Sequence, residues 1–182
     1  MKAYVAGAWV EQHQRSRPMI AKLREAGIEI TCDWTQAEGD VCACGHHRSV
    51  HYNSGEGCKG DGLTIAACSC LGFNGIGSGG DSLLTDADRR KYAQADLDGV
   101  LAADIVWLLA ANDRGACGSW VELGAALVAR QMRAGEDGGP WPLIVVSGPK
   151  CKWTIFTELA DRLFETDEEA LAYVVGLHRG SP

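Results

Sequence analysis

Glu122 has the most chemistry within reach of any residue in this chain. It closes the run Asn112-Asp113-Arg114-Gly115-Ala116-Cys117-Gly118-Ser119-Trp120-Val121-Glu122, which leads out of the nearly all-apolar stretch DIVWLLA. Gly118 and Ser119 are expected where a helix begins, and backbone amides without intrahelical partners can hold an anion or a hydroxyl-rich ligand there. With Glu122 in the first turn, a carboxylate stands beside those amides. The same position equally suits a glutamate that only complements the helix dipole. Asn112 and Asp113 add polar groups to the loop. A second loop, Gly7-Ala8-Trp9, follows another apolar run. There Gly7 would admit close backbone approach and Trp9 a flat apolar surface, or the pair is a glycine turn with a packed tryptophan.

A different chemistry is concentrated between these loops. Cys42, Cys44, His46, His51, Cys58, Cys68 and Cys70 fall within one short segment, with His47 as an extra histidine. Closely spaced thiolates and imidazoles are what tetrahedral zinc selects. These candidates exceed a single tetrahedral shell, so either one zinc takes four of them or two metals share ligands. A structural zinc is expected, since a closed cysteine-rich shell leaves no position for water. Cys32, Cys117 and Cys151 read as isolated thiols; Cys117 adjoins the Glu122 loop, but no histidine is placed by sequence to activate it.

The elements that must position these groups alternate along the chain. Lys2–Ala6 is a β-prone run ending at Gly7, and the helical pattern from Glu11 to Ala26 puts Met19, Ile20, Leu23 and Ala26 on one face, with Gly27 as its C-cap. Ile28–Cys32 reads as a second strand. The stretch 38–80 is rich in Gly, Cys, His and Ser without periodicity, and metal coordination can supply the order it lacks. A helix from Thr85 to about Ala103, a buried strand Asp104–Ala110, a helix Ser119–Arg133 and a strand Pro142–Ser147 follow. A helical stretch near Ile155–Arg162 and a last helix Asp167–His178, capped by Thr166, end the series. Asp104, at a strand start, reads as structural. The alternation implies an open, mainly parallel α/β sheet with helices on both faces, and ligands in such sheets sit at the carboxyl ends of the strands.

Bulk properties narrow the function classes. At 182 residues the chain fits one domain, with 38–80 as an insertion. The net charge of −7 argues against sequence-independent nucleic-acid binding, which needs a basic field. The opening MKAYVAGAWVEQHQR lacks the long apolar core of a signal peptide, and no segment is long enough to span a bilayer. A cytoplasmic protein without a membrane partner is expected, and in a reducing compartment clustered cysteines point to metal rather than disulfides.

YVAGA at Tyr4–Ala8, ADLDGVLAAD at Ala95–Asp104 and GSWVELGAA at Gly118–Ala126 together resemble the nucleoside 2-deoxyribosyltransferase family. The resemblance covers the β-α-β start and the region from about Lys91 to Val146, and excludes the Cys/His segment. It implies a Rossmann/flavodoxin-like fold and makes Glu122 a nucleophile that attacks the anomeric carbon of a nucleoside, releases the base and forms a covalent glycosyl-enzyme. Asp96 matches the aspartate near the nucleobase, where it could pass a proton to or from the leaving base. The family's acidic residue before the Gly-Ser pair is absent, those positions reading Ala116-Cys117; Asn112 or Asp113 would substitute from elsewhere. Ala8 stands where a proline is usual, and Arg179-Gly-Ser-Pro182 does not resemble the family's tail. The expected partner is a small nucleoside or nucleotide, with homo-oligomers implied by the resemblance. Base transfer and hydrolysis both stay open, as does a non-catalytic nucleotide-binding module of the same fold.

Overall fold

A computed structural model describes residues 1–8, 11–36, 86–110, 117–133, 142–152 and 154–180. The chain divides into two compact units, Met1–Thr35 with Gln94–Pro182, and Gln36–Ala93. The first contains the whole sheet. The second contributes Gln36 and the beginning of one helix to the described residues.

Five strands, β1 (Lys2–Ala6), β2 (Glu29–Ile30), β3 (Ile105–Leu109), β4 (Leu143–Ser147) and β5 (Arg162–Phe164), form one sheet in the order β2-β1-β3-β4-β5. Every pair is parallel. This is a doubly wound, flavodoxin-like α/β arrangement, in which the order reverses at β1 and β3. Residues of β1 and β3 alternate strictly between two cores. Ala3, Val5, Ile105, Trp107 and Leu109 face Met19, Ile20 and Leu23 of α1 (Arg17–Glu25), together with Ala170 and Val174 of α4 (Asp167–His178). Tyr4, Ala6, Val106 and Leu108 face Val100 of α2 (Asp86–Ala102) and Leu123 and Ala126 of α3 (Cys117–Arg133). Both faces of the sheet are covered, which is why β3 can be apolar at all five positions.

The expected elements recur with local differences. The first helical stretch opens with a π turn, Gln12–Ser16, before α1, and its C-cap is Ala26, with Gly27 following at φ 83°. The segment Ile155–Arg162 is not one helix: a 3-10 turn covers Ile155–Leu159, and β5 begins at Arg162. Asp161 explains the change. Its carboxylate accepts from the Ile144 amide at 2.7 Å and from Arg130 at 2.7 Å, which draws the chain back to the sheet edge. The last helix has its Thr166 cap, completed by Glu169 in a reciprocal capping box. Asp104 is structural as expected, accepting from the Lys2 amide at 2.7 Å where β1 begins.

A polar network ties the carboxyl ends of the strands together on the α1/α4 side. Arg15, in the π turn, donates from Nε and Nη2 to Asp167 at 2.8 Å each, and from Nη1 to Glu11 at 2.7 Å and the Ala110 carbonyl at 2.8 Å. Ser147, at the end of β4, donates to Asp167 at 2.6 Å and accepts from the Trp107 indole at 2.9 Å. Burial alone would raise the Asp167 carboxyl, but the Arg15 and Ser147 hydrogen bonds and the guanidinium charge bring it below the usual carboxylate range.

Candidate functional site

The two carboxylates singled out in the sequence meet on the α2/α3 face of the sheet. Tyr4, fully buried at the middle of β1, points to this face because β1 alternates. Its hydroxyl donates to Glu122 Oε1 at 2.9 Å, joining residues 118 positions apart. Asp96, on α2, lies in the same cluster, close enough for its charge to act on both Tyr4 and Glu122. Cys32, just beyond β2, donates its thiol to Asp96 Oδ1 at 3.5 Å. Four side chains from β1, the end of β2, α2 and α3 thus converge.

Glu122 does not sit where the sequence placed it. α3 begins at Cys117 rather than Ser119, so no acidic residue lies in its first turn and Glu122 occupies the second. The carboxylate is therefore set against the sheet rather than beside the first-turn amides. Its electrostatics follow from that position. Burial pushes the Glu122 carboxyl up to about 7; the Tyr4 hydrogen bond opposes this and the nearby Asp96 charge adds to it. Its second oxygen, Oε2, is buried with no hydrogen-bond partner. Burial likewise raises Asp96, with the Cys32 and Tyr4 hydrogen bonds working the other way. Two negative charges here repel in a medium that solvates them poorly, so the pair favours holding one proton. Tyr4 is raised far above its ordinary value, by burial first and then by the two carboxylates, and stays a phenol.

A close packing contact brings Asp96 into place. A Cβ at Gly99, one turn after Asp96, would lie 2.6 Å from the Cys32 Cβ and 3.0 Å from Tyr4 Cδ2. Only a glycine lets α2 descend this far onto β1 and the end of β2. Thr31 Oγ1 then donates to the Gly99 carbonyl at 2.8 Å and locks the approach.

The other expected site residues divide sharply. Gly7 is closely packed: an added Cβ would stand 2.6 Å from Ser16 Oγ. Ser119 is 2% exposed and so turned away from solvent, whereas Gly118 is exposed and an added Cβ there would meet nothing within 4 Å. Trp9, Asn112 and Asp113 lie outside the described residues, as do Cys42, Cys44, His46, His51, Cys58, Cys68 and Cys70. Among the described residues no group of side chains could hold a metal ion. Cys32 is a free thiol, as expected, and it also donates to Asp96. Tyr4 and Gly99 were also missed. They lie in YVAGA and ADLDGVLAAD, but a tyrosine in an apolar strand and a glycine in a helix carry no sequence mark of what they touch.

A cavity of about 480 Å³ lies elsewhere, bounded by Trp120, Leu123, Gly124, Leu127, Thr154 and Phe156. It is apolar and is lined by neither carboxylate. Among the described residues, no helix is long and apolar enough to cross a membrane. No protein-family model, curated protein or solved structure matches this chain.

Proposed function

We propose that this chain cleaves or exchanges the N-glycosidic bond of (deoxy)nucleosides or nucleotides, with Glu122 as nucleophile and Asp96 as the proton donor to the leaving base. The observation that carries this reading is the convergence of the two carboxylates on Tyr4, one of them hydrogen-bonded to it at 2.9 Å. Retaining glycoside chemistry needs such a division: one carboxylate bare for attack, the other protonated for the leaving group. Burial that raises both groups, and repulsion that disfavours two charges, supports a single shared proton near neutrality.

Glu122 forms a bond to the anomeric carbon as the carbon–nitrogen bond breaks and the base takes the proton of Asp96. The pair keeps one negative charge, which moves from Glu122 to Asp96. An incoming base then attacks the same carbon, frees Glu122 and returns a proton to Asp96; water does so in hydrolysis. Tyr4 stabilises whichever carboxylate it donates to.

Incubation with deoxynucleosides, with and without an acceptor base, tests the proposal. Free base indicates hydrolysis and a new nucleoside indicates transfer. Glu122→Ala is expected to reduce either rate by at least roughly 10³-fold. Tight nucleotide binding with no product from any nucleoside or nucleotide would replace this reading with the non-catalytic binding module.

The segment 38–80 is proposed to bind structural zinc. Its donor set of thiolates and imidazoles from Cys42, Cys44, His46, His51, Cys58, Cys68 and Cys70 fits that ion. Metal analysis of the purified protein is expected to give about one or two equivalents, and less than one would end the idea. Assembly into homo-oligomers is a further part of the reading. Val121, Val128 and Met132 support it, spaced along one exposed stripe of α3, and sedimentation of the purified chain checks it.

A further inference from the structure

The function proposed above leaves Cys32 without a task, although its thiol donates to Asp96 Oδ1 at 3.5 Å. The contact is built rather than incidental. Cys32 follows β2, where the Thr31 amide continues the ladder to the Ala3 carbonyl at 3.0 Å. Thr31 Oγ1 and the missing side chain of Gly99 then fix α2 against this corner, one turn from Asp96. The thiol therefore approaches one particular oxygen, Oδ1, along a path set by backbone contacts on both sides.

We propose that Cys32 is a positioning residue for Asp96: by donating to Oδ1 it holds the transferable proton on Oδ2 and aims the acid at the leaving base. In a protonated carboxyl group one oxygen is a carbonyl acceptor and the other bears the proton. An S–H directed at Oδ1 favours that oxygen as the acceptor. Burial first, and the neighbouring Asp96 second, push the Cys32 thiol up to about 12, so it stays a neutral donor and is no competing nucleophile. After the base departs, the same S–H stabilises the Asp96 carboxylate that remains.

The inference rests on the proposed nucleoside chemistry, and leaving groups separate the two. An ordinary purine deoxynucleoside needs a proton on the departing base. An N7-methylated purine deoxynucleoside does not, because the electron pair of the breaking bond neutralises the positive charge already on the ring. Cys32→Ala is expected to lower kcat about tenfold for the unmodified substrate, and to leave the N7-methylated one within about twofold. Cys32→Ser, which restores a donor of nearly the same size, is expected to recover most of the loss. A purely structural role would slow both substrates alike. Equal loss on both, or no loss on either, overturns the positioning role while leaving the nucleoside reading intact. A wild-type protein that turns over neither substrate overturns both. Thermal melting of each variant distinguishes an unfolded protein from a mis-aimed acid, and Cys32→Ser keeps the test decisive where Cys32→Ala does not fold.

Discussion

At the scale of single residues, Glu122 is held in a state that folding alone would avoid. An ordinary glutamate ionises near 4.5, and burial moves this one to about 7. The native state therefore binds this proton more tightly than the unfolded chain does. Stability falls as pH rises from about 4.5 to 7 and is flat above that window as far as this group is concerned. The difference amounts to about 3 kcal/mol. Glu122→Gln, which is neutral at every pH, is thus expected to be more stable than the wild type by up to about 3 kcal/mol at pH 8, with near equality at pH 4.5. Urea unfolding at the two pH values measures it. A variant that gains stability as it loses turnover is the mark of a strained functional group. The proposed reaction needs the pair to keep one proton for the leaving base, so base release is expected to fall as pH rises through about 7, a value that belongs to the coupled carboxylates together. Tyr4→Phe removes the hydrogen bond that opposes burial, so the falling limb of the rate profile is expected to move to higher pH. A limb that stays in place would mean that Tyr4 does not set the Glu122 charge.

At the scale of elements, the site depends on how closely α2 approaches the sheet. Gly99→Ala would place a Cβ 2.6 Å from that of Cys32, forcing α2 outward. Overpacking of this kind costs about 1–3 kcal/mol, while a displacement near 1 Å at a reacting group costs about 100-fold in rate. Activity is therefore expected to fall far more than the melting temperature does, and a comparable loss in both would place the effect in folding. The sequence carried much of this architecture in its periodicity. β1, β3 and β4 stood out because their runs are apolar throughout, and α4 because Thr166 and Glu169 form a readable cap. β5 did not, since three residues cannot display a period; its strand follows from Asp161, a contact formed only in the folded sheet. Glu122 is legible as a carboxylate in the loop-to-helix run after β3, but it falls one turn later than expected because α3 begins two residues early. Asp96 came through the family resemblance, and Tyr4, Cys32 and Gly99 only through contacts between distant segments.

At the scale of the whole molecule, the Arg15 network joins segments that the sheet alone would leave free. Arg15, Glu11 and Asp167 have side chains only 14%, 15% and 11% exposed, so each charge depends on its partners. Arg15→Met would leave two carboxylates uncompensated, and is expected to cost about 3 kcal/mol and lower the melting temperature by roughly 10 °C. The loss should be largest near neutrality. With its value lowered on folding, Asp167 contributes stability above the ordinary aspartate range, and that contribution is lost as pH falls through the lowered value. Wild type and variant are thus expected to converge in acid.

The pairing of Tyr4 with Glu122 has a consequence for how the protein comes into being. The two residues are 118 positions apart, and β1 also waits for β3 before its second edge is filled. On a ribosome, the first strand emerges long before the helix that answers it. During that interval Tyr4 has no carboxylate to bind, and a hydrophobic strand has one flank open to any other chain. The last member of the cluster to emerge is thus Glu122, and a nascent chain halted before α3 would contain Tyr4, Cys32 and Asp96 without the carboxylate that Tyr4 binds.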